Sequence, residues 1–126
     1  ERGWAVHGFE VFVPPYMGPH VTVAGTFRAS LFPQQYATVM LREVLEHVHG
    51  WRALLQECHG VTAHNGLFQV QTPRPGRVIH PHVYGKDHLQ ILPPASLKSW
   101  LEKLGFDVID LRYWEHGQAF LCQKVA

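Results

Sequence analysis

Two periods of apolar residues divide the chain. Trp51, Leu54, Leu55 and Cys58 recur at i, i+3, i+4 and i+7, and Leu97, Trp100, Leu101 and Leu104 repeat that spacing, each set marking one face of a helix. Helices are therefore predicted over residues 51–63 and 94–104. Asn65-Gly66 reads as the stop of the first, while Pro94 opens the second and Gly105 ends it. Elsewhere the pattern is that of strands. Residues 4–11 and 20–27 alternate, and Thr38-Val39-Met40-Leu41 is an apolar run. Gly66-Leu67-Phe68-Gln69-Val70-Gln71-Thr72 alternates again, and residues 106–113 and 119–124 make a hairpin about a turn at 115–118. Strands interleaved with helices predict an α/β fold with a mixed, mainly parallel sheet that closes on an antiparallel hairpin.

Breakers separate these elements. Phe12-Val13-Pro14-Pro15-Tyr16-Met17-Gly18-Pro19 excludes a regular helix, and residues 28–35 read as a loop. The longest irregular stretch lies between Thr72 and Leu92. Pro73, Pro75 and Pro81 break it, Pro93 closes it, and it carries Arg74, Arg77, His80, His82, Tyr84, Lys86, Asp87 and His88. A loop of that length is usually functional or unstructured. The apolar run at 38–41 also points to a site, because it ends in Arg42-Glu43-Val44-Leu45-Glu46-His47-Val48. A buried strand there delivers two carboxylates and an imidazole to its carboxyl end, the edge at which open α/β sheets bind ligands.

Composition narrows the classes. A chain of 126 residues, 46% hydrophobic and 17% charged, reads as one domain, long enough for a core but short for a doubly wound fold with all its ligand loops. The formal charge of +1 argues against nucleic acid or a membrane surface as partner, although ten histidines add positive charge below about pH 6.5. No apolar run approaches the roughly 18 residues of a membrane span, and no secretory signal pattern is present. Cys58 and Cys122 lack metal or redox spacing and sit in apolar periodic segments, so they read as reduced core thiols without a bridge, which fits a cytoplasmic protein.

From Tyr36 onward the order of parts carries a resemblance. An apolar strand, Val44-Leu45-Glu46-His47-Val48, a helix, Asn65-Gly66, a strand and Thr72-Pro73 together resemble the fourth strand, following helix and fifth strand of class I S-adenosylmethionine-dependent methyltransferases. The close of the chain, helix, Gly105-Phe106, strand, turn and strand, resembles the end of that family's sheet, where an antiparallel last strand is inserted beside the sixth. The resemblance implies a Rossmann-like methyltransferase sheet, incomplete at the N-terminus as a partial domain over residues 1–126. Residues 4–11 match the second strand, while the first strand and a Gly-rich cofactor loop are not found in this sequence. Ala37 stands where many relatives carry Asp.

The same resemblance implies methyl transfer from S-adenosylmethionine to oxygen or nitrogen of a small-molecule acceptor. Glu10 falls at the acidic position that holds the cofactor ribose, where one carboxylate accepts from two hydroxyls. Gly25-Thr26 matches the turn near adenine. Glu46, His47 and His88 face the acceptor, with His80, His82 and Tyr84 as further candidates for binding it or for taking its proton.

Other readings stand beside this one. Glu46 can cap the helix that starts near Gly50, and His47 can anchor a loop through a backbone carbonyl. Glu43-x-x-Glu46-His47 with Asp87-His88-Leu89 resembles the metal site of small-RNA 2′-O-methyltransferases, in which two Glu and two His hold a divalent ion. Carboxylates with imidazoles suit Mg²⁺, Mn²⁺ or Fe²⁺. Against that, Val-Leu-Glu-His-Val recurs in metal-free relatives and the chain has no basic stripe for RNA, so no metal is expected. A non-catalytic interaction domain of the same fold is a third reading. Finally, residues 36–41 contain no Lys and no Pro and would make an unprotected sheet edge, so direct pairing with strand 4–11 or self-association is expected.

Overall fold

In the computed structural model, residues 5–10, 21–23, 27–32, 34–76 and 83–126 are described. Strands β1 (Gly8–Glu10) and β2 (Val21–Val23) form a short parallel pair. A 3-10 turn at Ala29–Leu31 comes next, then β3 (Tyr36–Arg42), a second 3-10 turn at Leu45–His47, and helix α1 (Trp51–Val61). Strand β4 (Thr62–Pro73), helix α2 (Pro94–Leu104), β5 (Phe106–Trp114) and β6 (Gly117–Lys124) complete the described elements. The larger sheet has the order β3-β4-β6-β5, parallel between β3 and β4 and antiparallel on both sides of β6. The last strand is thus inserted between β4 and its hairpin partner β5, as the family resemblance implies.

Both helices bury the predicted faces against one side of this sheet. Trp51, Leu54, Leu55 and Cys58 of α1 and Leu97 and Leu101 of α2 join Leu41, Phe68, Val70, Phe106, Phe120 and Cys122 from the strands. Inward residues alternate along β4 and β6, as a sheet with one covered face requires. Both cysteines are free and buried, and burial pushes each thiol up to about 12, so neither is reactive at neutral pH. Helix α2 ends as expected at Gly105, whose φ of 102° only glycine adopts without strain.

The first helix ends differently from its sequence signal. It stops at Val61, and Thr62 already has extended geometry, its hydroxyl donating to the Cys58 carbonyl at 2.7 Å. Lys124, only 9% exposed, reaches from β6 to donate to the carbonyls of His59 and Thr62 at 2.8 and 2.9 Å. A cation on the last carbonyls of a helix satisfies groups that have no intrahelical partner and opposes the helix dipole. Asn65-Gly66 therefore does not terminate α1. It lies inside β4, where the register passes from Tyr36↔Thr62 to Thr38↔Leu67 and Asn65 takes φ 60°. A helix stop and a strand irregularity both require left-handed geometry, which is why one sequence signal serves for either.

A second correction concerns the N-terminal strand. Among the described residues it pairs with β2 and not with β3, in place of the direct pairing with residues 36–41 that is one of the two expected outcomes. Among the described residues β3 is bonded only to β4. Replacing the buried ammonium tests the helix terminus: Lys124→Met is expected to cost about 1–3 kcal/mol, because two buried carbonyls lose their donor. Urea denaturation measures it, and a midpoint equal to that of the parent chain would show that the contact contributes nothing.

Candidate functional site

The site is built where β3 ends. Glu43 has φ 51°, a left-handed conformation unusual for Glu, and it turns the chain out of the strand while its amide still donates to the Gln71 carbonyl at 2.9 Å. The next 3-10 turn buries Leu45 completely and turns Glu46 inward, leaving Glu46 only 2% exposed. A carboxylate so placed requires donors. Thr72 of β4 donates its hydroxyl to Glu46 Oε2 at 3.0 Å, and His47 Nε2 stands 3.6 Å from Oε1. Glu46 therefore does not cap α1; the N-cap position is Gly50, with no side-chain bond.

The loop before α2 is stitched onto this turn. The Leu89 amide donates to the Glu46 carbonyl at 2.7 Å, and Gln90 Nε2 donates to the carbonyls of Leu45 and Val48 at 2.6 and 2.7 Å. His47 Nδ1 lies 2.8 Å from the Asp87 carbonyl oxygen, and His88 Nδ1 bonds the Val83 carbonyl. A carbonyl can only accept, so each Nδ1 carries a proton, and the neutral form of each ring keeps its lone pair on Nε2. The rings meet edge to face with centroids 4.9 Å apart. The anchoring role expected of His47 is thus present, and it sets which tautomer the neutral ring adopts.

These groups face a cleft of about 400 Å³. Glu43, Glu46, His47 and His88 line one side, Gln71 and Pro73 of β4 the floor, and Trp114, His116 and Gly117 of the β5–β6 turn the other side. Burial and the neighbouring Glu46 carboxyl raise the pKa of Glu43 above its ordinary value, against the bond that Gln71 donates at 3.0 Å. Ligand atoms of Glu46, His47 and His88 lie within 4.8 Å of one another, a spacing that suits one divalent cation. Glu43 lines the same cleft but stands outside that trio.

Of the residues singled out in the sequence, Glu46, His47 and His88 come together. Asp87 contributes its backbone carbonyl. The backbone of Glu10 closes β1 beside Val23, while Gly25, Thr26, His80 and His82 lie outside the described residues. The wall formed by Trp114, His116 and Gly117, and the hydroxyl of Thr72, are not evident from the sequence pattern. Their signal is the inserted antiparallel strand, since an antiparallel β6 must start where β4 ends, as the pairing Pro73↔Gly117 shows.

Comparison with known proteins agrees with this architecture. A family profile described as "Methyltransferase domain" matches residues 1–111. An O-methyltransferase family protein from Burkholderia thailandensis has a similar structure, with TM-score 0.62 and 14% identity over 85% of this chain and 36% of its own. The 1,6-didemethyltoxoflavin-N1-methyltransferase of the same organism, with bound 1,6-didemethyltoxoflavin and S-adenosylhomocysteine, gives TM-score 0.70 and 16% identity over 94% and 60%. A SAM-dependent methyltransferase from Archaeoglobus fulgidus gives 0.65 and 17% over 83% and 67%. The chain thus spans between about a third and two thirds of the length of these structures. No curated protein sequence matches it.

The raised pKa of Glu43 has a consequence for stability. A carboxyl harder to ionise in the fold than in the unfolded chain favours folding below its ordinary value of 4.5, and that advantage is lost as pH rises through the higher folded value. Glu43→Gln keeps an acceptor for Gln71 and removes the charge. The variant is expected to be more stable than the parent at pH 7 and to lose that lead at pH 4; urea midpoints at the two pH values check it, and a lead of the same size at both would contradict it.

Proposed function

The chain belongs to the methyltransferase domain family, and from that premise we propose that its cleft holds the acceptor in a methyl transfer from S-adenosylmethionine to oxygen or nitrogen of a small molecule. The observation that supports this most is that His47 and His88 line one cleft at the carboxyl end of β3, each with its Nδ1 bonded to a backbone carbonyl so that Nε2 is the nitrogen left to meet a ligand. S-adenosylmethionine supplies a methyl group on a cationic sulfur. One Nε2 accepts the acceptor's proton while the new bond to the methyl carbon forms and the carbon–sulfur bond breaks, with sulfur leaving as a neutral thioether. The rest of the chain's share is proximity and orientation. The neighbour that holds 1,6-didemethyltoxoflavin and S-adenosylhomocysteine supports an acceptor of this size class.

On the cofactor side, Glu10 ends β1 at the carboxyl edge of a parallel pair, the edge suited to ligand binding. In this reading it binds the ribose hydroxyls. A metal-assisted reading is favoured by one observation, the ligand atoms of Glu46, His47 and His88 gathered within 4.8 Å. Such a set fits Mg²⁺, Mn²⁺ or Fe²⁺, which would polarise an acceptor hydroxyl held beside it, with Glu43 as an adjacent fourth group. For partners, the edge of β3 that has no strand beside it among the described residues suggests self-association by pairing with a second copy, since residues 36–41 carry no Lys or Pro to protect that edge.

Calorimetry checks both ligands. Glu10→Ala is expected to weaken S-adenosylhomocysteine binding about tenfold, the value of one or two lost hydrogen bonds to a charged group, and equal affinity would remove Glu10 from the site. Mn²⁺ should bind the parent chain and bind His88→Ala at least about tenfold more weakly in the metal-assisted reading, which an absence of heat with the parent would sink. Sedimentation at micromolar concentration addresses the edge: a dimer is expected, and a monomer whose β3 amides exchange freely with solvent would rule pairing out.

A further inference from the structure

One wall of the cleft has no part in the chemistry of proton acceptance and methyl transfer. Trp114 closes β5 opposite Gly117, which opens β6, and both line the cleft facing Glu46, His47 and His88. The indole rests over Gly117 so closely that a Cβ there would collide with its ring atoms. Its backbone is held as well: Arg74 Nε donates to the Trp114 carbonyl, and the Arg74 guanidinium stacks 4.7 Å from the centre of the Tyr113 ring. Despite this bracing, 48% of Trp114 remains exposed. A large apolar ring fixed in place and left uncovered in a cleft is a surface for another flat apolar group.

The opposite side sets a second requirement. His47 and His88 donate from Nδ1 to backbone carbonyls, so in the neutral ring Nε2 can only accept, and a group that meets it must bring a proton. We propose that Trp114 is a specificity-determining residue, and that the acceptor is an aromatic or heteroaromatic ring bearing an O–H or N–H, stacked on the indole with its donor directed at His47 and His88. Ring binding itself is independent of the methyl-transfer reading; only the fate of the bound ring rests on it. Gly117 is the positioning residue, since its missing side chain is what lets the indole lie across the turn.

The test compares naphthol with its ring-saturated counterpart decalol, following the indole N–H resonance of Trp114, which is assigned by its loss in Trp114→Leu. Naphthol is expected to bind about three- to tenfold more tightly than decalol, the value of one aromatic pair, and to shift the ring protons of His47 and His88. The preference should vanish in Trp114→Leu and in Gly117→Ala, which displaces the indole without removing it, and should survive in Tyr113→Leu. The methyl ether of naphthol, with no proton to offer, should bind more weakly than naphthol. Equal affinity for the two alcohols, no binding of naphthol, or a preference unchanged in a folded Trp114→Leu would overturn the inference. S-adenosylhomocysteine binding, measured alongside, separates it from the parent reading: cofactor binding without ring preference defeats this inference alone, and ring preference without cofactor binding defeats methyl transfer alone.

Discussion

Everything around the cleft depends on keeping one carboxylate out of water. Glu46 is nearly fully buried, and a buried carboxylate without partners costs more than this small fold could absorb. Its position therefore dictates others. Thr72 must sit at the carboxyl end of β4 to donate its hydroxyl, and the Leu89 amide must close on the Glu46 carbonyl. Once those bonds form, the loop before α2 has little freedom, and both imidazoles take their places as a result.

The same requirement explains how distant parts of the sequence meet in one site. β3 supplies the turn, β4 the hydroxyl, the loop before α2 the second imidazole, and the β5–β6 turn the far wall. Gln118 ties the last of these to the rest, donating to the carbonyls of Pro73 at 3.2 Å and Leu92 at 2.6 Å from a fully buried position. Through these two donated bonds the buried amide bridges a strand end and a loop.

What is legible in the sequence is periodic or clustered. The two helix faces, the apolar β3 and the Glu46-His47 pair each leave a pattern within a few residues, and His88 stands out through the order of parts around it. What stays hidden depends on pairing between segments far apart. Nothing near Trp114 announces that an antiparallel strand will carry it beside Glu46, and nothing local to Thr72 marks it as the donor to a residue 26 positions earlier. Asn65-Gly66 misleads for another reason: its backbone requirement is plain, but two different structures share that requirement. The pairing of β1 with β2 in place of β3 likewise depends on register, which alternation alone does not specify.

One junction bears on how this fold tolerates change in length. Helix α1 passes into β4 with no residue between them, Val61 ending one and Thr62 beginning the other. One residue added within α1 would rotate everything beyond it by about 100° around the helix axis. One added within residues 67–73 would exchange the buried and open faces of β4 and take Thr72 away from Glu46. Only the irregular segment at 63–66, where β4 already carries more residues than β3 opposite, can take up an extra residue without moving either neighbour. Insertions and deletions among related chains should therefore collect there, and the Asn-Gly step is the expansion joint that keeps the helix in phase with the cleft.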